Sequence, residues 1–552
     1  MSNLGQSQGK QAPASAPKSV EEFGSGTYAD HVGARLLDFF ADSSPWQRRL
    51  WDSGTVLSLQ ELAEAAEWSA NGVLSAGSVA WLAKDLERLA GRDRAIGERE
   101  LRQQLTATLR VSLSTGSRHH RKLRQLTEMV NDGYVDRWLA AVDGNSVPAP
   151  ERLSRAVASH LLDAGYSMGH LHRWARGLIV SGASIRDLLV EASDFSRRSD
   201  RRYEVLVPFQ SIPGSGTDLT ESQTNWLTAS QVANWLAANV GDPVGIRQNG
   251  GFVYSIQAKD PQAAVTKASI TIERLVARSS LARSLGGRPN PESQVWVSGE
   301  TAKYTLRSPA RGTYVLSLVS ESRLYEVVQR TSLDDALELA AALNHGSPGP
   351  AVAGGWAAIE ALLVSSSDVD DVRDGRGVTA ADRMASLVAC SWPRAELTGL
   401  AYRHRPASPD TLSARIESAT TNQERARTVA AAIFSGASLE LKSASDIAAE
   451  ARMQKLLDNP RATLGDVESH VRGTLRRLYR QRNIVMHGGA TDALALGVSL
   501  RTAAPLVGAG LDRISHASLS NGMEPLNLAA RASLQLKLVG GPDGAHVVDL
   551  LE

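Results

Sequence analysis

Val471-Arg-Gly-Thr-Leu-Arg-Arg-Leu-Tyr-Arg-Gln-Arg-Asn-Ile-Val-Met-His487-Gly-Gly489 is the most informative stretch of this 552-residue chain. Leu475, Leu478, Ile484 and Val485 recur at helical spacing and supply an apolar side for packing. The two glycines after His487 predict the helix end there. Arg472, Arg476, Arg477, Arg480 and Arg482 follow one another with no acid between them. Arg472, Arg476 and Arg480 step by four residues and so share a face, where like charges repel. Such a face calls for an anionic partner or a buried acid. Asn483 and His487 are also four apart and are expected on a neighbouring face.

Arg482, Asn483 and His487 together offer a fixed cation, an orienting amide and a titratable acid/base. That combination suits cleavage of RNA by its own 2′-hydroxyl. A base must take the 2′-OH proton, a cation must stabilise charge building on the phosphate, and neither role needs a metal. Arg482-Asn-x-x-x-His487 resembles the R-N-x-x-x-H motif of HEPN-domain ribonucleases, and Trp356-Ala-Ala-Ile-Glu360-Ala-Leu-Leu363 resembles the early W-x-x-x-E-x-L helix of many such domains. The resemblance covers about 332–519, roughly a third of the chain. It implies a helical, homodimeric, metal-independent endoribonuclease of the kind found in toxin–antitoxin, abortive-infection and antiphage systems, in which the motifs of two chains form one site. It assigns catalysis to Arg482, Asn483 and His487. Arg472, Arg476 and Arg480 are the expected RNA contacts. Glu360, an acid on an apolar helix that needs a partner, is expected to pair near Arg482 and support the site. Leu478 is an apolar candidate for the dimer interface. No cofactor is implied. The expected partners are an RNA substrate, a second copy or a higher homo-oligomer, and an antitoxin or trigger molecule.

Working outward, Ser332 to about Leu519 reads as helical. The first helix is capped by Ser332 with Asp335 three residues on, and later helices cover roughly 354–364, 380–390, 411–434, 444–458, 465–487 and 493–516. In the tail, Leu534–Val539 and His546–Leu551 are expected to pair as strands across Gly540-Gly-Pro-Asp-Gly544. Residues 201–330 change character. Tyr203–Pro208, Gly251–Ile256, Gln294–Val297 and Tyr314–Leu318 are β-rich. Helices are expected over Ala229–Asn239 and from Pro261 toward Ser280, the latter capped by Asp260. Residues 26–200 read as helices, with a Ser58-x-x-Glu61 capping box and six of the eleven tryptophans. Residues 1–25, rich in Ser, Gln, Gly, Pro and Ala, are expected to be disordered. The fold class is therefore mainly α and multidomain: an N-terminal helical domain (26–200), a small central α+β domain (201–330), a C-terminal HEPN-like helical bundle (331–520) and a tail (521–552).

Sixty Lys plus Arg stand against fifty-nine Asp plus Glu, so any nucleic-acid contact must come from a local patch. A single cysteine, Cys390, excludes a disulfide framework or a Cys-based metal site and fits a reducing cytosol. No apolar signal segment opens the chain and no stretch reads as a membrane span, so a cytoplasmic protein without membrane contact is expected.

Other signals are poorer. Arg155-x4-His160 repeats the bare spacing without the Asn. His170-Leu-His172 lacks a third ligand. Arg102, Arg110, Arg118, Arg121, Lys122 and Arg124 face only Glu128 between 101 and 130. This basic stretch, with a helix-turn-helix reading of 56–90, keeps open a DNA-binding regulatory dimer. A non-catalytic RNA-binding or scaffold protein with the same helical fold is the other alternative.

Overall fold

A computed structural model describes residues 23, 28–144, 147–213, 219, 223–241, 248–282, 287–327, 330–368 and 375–552. The architecture is mainly helical with one small antiparallel sheet. Of residues 1–25, Phe23 alone is described, and it is buried; the rest of that expectation lies outside the described residues.

The helices of 28–197 and those of 332–538 share one continuous apolar core rather than two. Trp51 and Trp138 from the first segment and Trp356 from the second are among its largest fully buried side chains. Buried ion pairs cross the joint: Arg48 reaches Glu396 at 2.7 Å and Asp446 at 2.8 Å, and Arg452 reaches Glu151 at 3.0 Å. Breaking such a pair from one side leaves an uncompensated charge and costs about 3–5 kcal/mol, so these contacts fix the register between the segments.

The sheet runs in the order β2-β3-β1-β5-β6, with β1 Arg201–Ser211, β2 Trp226–Leu227, β3 Gly251–Ala258, β5 Gln294–Val297 and β6 Tyr304–Thr305; β4, Asn290–Pro291, pairs with the end of β1. β1 carries an unbroken buried run because a helix covers each face. Val205, Val207 and Phe209 pack with the helix Pro261–Leu281, whereas Leu206 packs with Val232 and Leu236 of the helix Ala229–Asn239. Asp260 caps Pro261–Leu281 and also accepts from the Ser167 backbone and hydroxyl, both at 2.7 Å, which ties the sheet to the helical core.

Several elements differ from the sequence reading. Tyr314–Leu318 is not a strand. Its neighbourhood packs along the helix Leu496–Asn521, with Ser317 N donating to Asp512 Oδ1 at 2.7 Å. The tail forms no strand pair: Leu534 to Leu538 end the helix Pro525–Leu538, whose Leu528, Ala529 and Ala532 face the core. His546 to Leu551 are turns that bury Val547, Val548 and Leu550. Thr331, not Ser332, caps Ser332–Asn344, closing a capping box with Asp334. The 411–434 segment is two helices, Thr411–Ser418 and Asn422–Phe434. The expected 380–390 helix extends over Gly375–Arg403 straight through Pro393, because Leu387, Val388, Leu397 and Leu400 on both sides of the proline are buried and outweigh its lost hydrogen bond.

Candidate active site

The quoted stretch lies in a 29-residue helix, Pro460–Gly488, which starts at a proline in the first helical position and ends where Gly489 turns left-handed at φ 68°. Leu464, Val471, Leu475, Leu478 and Ile484 bury its apolar side. Its first turns, with Arg461, Ala462, Gly465 and Asp466, are exposed, its middle is packed, and its last turn opens to solvent again: Arg482 and Asn483 are half-buried, and Met486 and His487 are exposed.

Most of the arginines turn inward. Arg477 Nε donates to Glu61 Oε2 at 2.8 Å, and Arg480 donates to Glu61 Oε1 through Nε at 3.0 Å and Nη2 at 2.7 Å. Arg476 forms a fork on Asp382 at 3.1 and 2.8 Å and lies over the Trp81 ring, 4.4 Å from its centroid. Arg472 bonds Glu468 at 2.6 Å and approaches Asp382 at 3.3 Å. The repulsion read from the sequence is thus relieved by acids of the same chain. This corrects the expectation that Arg472, Arg476 and Arg480 form an RNA-contacting face: Arg476 and Arg480 are buried, and all three are ion-paired. Leu478 is likewise core and is not available to a dimer interface.

Glu61 is the residue that sequence reasoning misplaced. It does not close a capping box with Ser58. The helix Thr55–Ala70 is preceded by Gly54, and Ser58 sits inside it with its hydroxyl 2.7 Å from that of Ser53. Burial alone would raise the Glu61 carboxyl, but Arg480 and Arg477 outweigh it and hold the group below the usual carboxylate range. The same helix braces the end of the arginine helix. Glu64 accepts from Leu494 N at 3.2 Å, and Trp68 lies so close to Gly488 that an added Cβ would sit 2.9 Å from its ring. A glycine is required at 488 for that close approach.

The four residues singled out for the site do meet. Arg482 Nη1 donates to Asn483 Oδ1 at 3.0 Å and lies 3.3 Å from His487 Nε2. Its Nη2 is 3.6 Å from Glu360 Oε2, from the helix Pro348–Leu363. Trp356, one turn before Glu360, is fully buried against Tyr479, with ring centroids 4.8 Å apart, and so fixes that helix against the arginine helix. When Arg482 donates to Nε2, it occupies the one lone pair of a neutral His487 ring, which becomes a base when that contact is exchanged for substrate. The cluster therefore places a proton acceptor beside an immobilised guanidinium at the solvent edge of the fold.

The competing motifs have other employment. His160 is buried against Tyr134, and Arg155 is bonded to Asp52 at 2.7 Å. His170 packs between Tyr166 and Phe195. Cys390 is buried and its thiol is pushed up by that burial. Among the described residues, no group of three or more His, Cys, Asp or Glu is arranged to hold a metal ion, and no helix is long and apolar enough to cross a membrane. In the basic stretch, Arg110 pairs with Glu87, and Arg118 and Arg121 stay exposed. The second helix of the helix-turn-helix reading, Ala76–Arg92, is turned to the protein: Val79, Leu82 and Leu86 are core, and Trp81 lies under Arg476. Its other face, with Ala76, Ala80, Lys84 and Arg92, stays exposed. Comparison with known proteins finds no family model, no curated protein and no solved structure that matches this chain.

Proposed function

We propose that the chain is a metal-independent, HEPN-type endoribonuclease acting in the cytosol, in toxin or antiphage defence. The observation that carries this reading is the convergence of Arg482, Asn483, His487 and Glu360 at the exposed C-terminal turn of a helix whose middle is packed in the core. The phosphate draws Arg482 away from His487 Nε2, the freed lone pair takes the proton of an RNA 2′-hydroxyl, and the 2′-oxygen attacks the adjacent phosphorus. Arg482 stabilises the charge on the phosphoryl oxygens, and the 5′-oxygen leaves with a proton. One chain supplies one such histidine, so a second copy supplies the acid in a composite dimeric site. The products are a 2′,3′-cyclic phosphate and a 5′-hydroxyl. The alternative of a non-catalytic RNA binder has less behind it, because Arg476 and Arg480 of its expected cationic face are buried.

The test is cleavage of labelled RNA by the purified full chain in EDTA. Wild type is expected to cut and to leave cyclic phosphate ends, whereas His487→Ala and Arg482→Ala are expected to be inactive with unchanged melting curves. Cleavage by both variants at the wild-type rate, or no cleavage of any RNA by wild type, overturns the assignment.

A further inference from the structure

A cavity of about 330 Å³ opens between the two helical segments, away from His487. Trp51, Tyr134 and Trp138 line it from the first segment, and Trp392, Val467 and Thr474 from the second. Small-molecule sites typically fall at about 300–1,000 Å³ and combine apolar walls with a few polar groups. Here Trp392 is buried, and its indole N–H has no acceptor among the described residues. Asp52 offers a second polar group. One of its oxygens bonds Arg155 at 2.7 Å, and the other lies 3.7 Å from His470 Nε2, too far for a hydrogen bond.

The rim is cationic. Arg88 is matched by Asp85 at 2.9 Å and Arg92 by Asp466 at 3.3 Å. Arg152 and Lys455 line the same cavity, are exposed, and have no acid within ion-pair distance among the described residues. An inorganic anion would satisfy these two cations and leave the aromatic interior bare. A neutral planar molecule would fill the interior and leave the cations idle. A ligand with both parts uses the whole site.

We propose that this cavity binds a nucleoside phosphate, with the base against the aromatic interior, the sugar hydroxyls toward Asp52 and the phosphate on Arg152 and Lys455. The site is distinct from the catalytic cluster: His470, on its wall, and His487 are separated by 17 residues of one helix, about 25 Å at 1.5 Å per residue. The proposal does not rest on the nuclease reading.

Isothermal titration calorimetry and thermal melts of the full chain test it, with ATP, GTP, CTP and UTP as probes and adenosine and inorganic tripolyphosphate as controls. At least one nucleotide is expected to bind saturably and to raise the melting temperature, because ligand that binds only the folded state stabilises it. Adenosine and tripolyphosphate are each expected to bind at least about tenfold more weakly, and Arg152→Glu with Lys455→Glu is expected to cost the nucleotide at least about tenfold, since two phosphate contacts become repulsions. Both positions are exposed, so the unliganded melting curve is expected to stay as in wild type. Arg274→Glu, an exposed charge on the helix Pro261–Leu281, is the control and is expected to change nothing. Failure of all four nucleotides to bind, tripolyphosphate binding as tightly as the nucleotide, or affinity that survives the double charge reversal overturns the proposal.

Discussion

Arg480 donates twice to a single oxygen of Glu61, and the two side chains are 2% and 1% exposed. The pair joins a helix near the N-terminus to the helix that ends in Arg482, Asn483 and His487. Replacing Glu61 by Gln keeps the shape and removes the carboxylate that Arg480 and Arg477 share. Breaking a buried pair in this way costs about 3–5 kcal/mol. Chemical denaturation of Glu61→Gln against wild type at neutral pH is expected to show a loss of that size. A change below about 1 kcal/mol, the size of an exposed pair, would mean that the two arginines are solvated.

The sign of the pH dependence follows from the same pair. The folded-state carboxyl of Glu61 lies below its usual value, so its contribution is present above the unfolded value of about 4.3 and is lost as pH falls through the folded one.

What the sequence reveals and what it hides divide along local and non-local lines. Helix identity in the arginine stretch, its end at Gly489, the cap at Asp260 and the helix Ala229–Asn239 are local features, carried by spacing and capping chemistry. The meeting of Arg482, Asn483 and His487 is nearly local as well, because all three lie on one helical end. The fate of Arg476 and Arg480 was not legible. Their acids, Asp382 and Glu61, are 94 and 419 positions away in the chain, and nothing in a row of arginines distinguishes a solvent face from a buried network. Ser58-x-x-Glu61 was misread for the same reason: the capping-box spacing is met, yet Glu61 is spent on the arginines. Leu534–Val539 was misread because a short apolar alternation fits a strand and a helix end equally well.

Glu360 lies 3.6 Å from Arg482, with both side chains partly exposed, and in the proposed site it acts through that arginine. Glu360→Gln is therefore expected to leave stability within about 0.5 kcal/mol of wild type while slowing RNA cleavage about tenfold, because Arg482 retains its hydrogen bond to Asn483. The loss is expected in kcat rather than in KM. An unchanged kcat would remove Glu360 from the site.

His160 supplies a second pH-dependent quantity. Burial lowers it to about 4, with Arg137 adding to the effect. A histidine near 6.5 when unfolded and about 4 when folded takes up its proton first in the unfolded chain, so stability falls as pH drops below 6.5. Between pH 7 and pH 5 this amounts to about 2 kcal/mol at 1.36 kcal/mol per pK unit. Denaturation curves at pH 7, 6 and 5 are expected to show that loss in wild type and to lack most of it in His160→Leu. Equal slopes for the two proteins would place the responsible proton elsewhere.

The proposed composite site requires that the exposed ends of two arginine helices face each other, and this dictates which substitutions separate assembly from folding. Met486 and Leu494 are 56% and 54% exposed and flank His487, whereas Leu478 is fully buried in its own chain. An aspartate at 478 introduces an unpaired charge into the core and is expected to cost several kcal/mol, roughly the 3–5 kcal/mol scale of a buried uncompensated charge. An aspartate at 486 is expected to change a single chain's stability by no more than about 0.5 kcal/mol, whereas one at 494 also lies near the Glu64 carboxylate that accepts from Leu494 N and costs somewhat more. In the proposed dimer the same aspartate would face its own copy across the two-fold axis, adding like-charge repulsion and the desolvation of both carboxylates. Met486→Asp and Leu494→Asp are therefore expected to shift the mass measured by light scattering toward the monomer and to lower cleavage in step, with the catalytic groups untouched. Activity recovered at higher protein concentration would identify the loss as one of association. A fully active monomer in either variant would show that one Arg482, Asn483 and His487 set suffices, and the second copy would leave the mechanism.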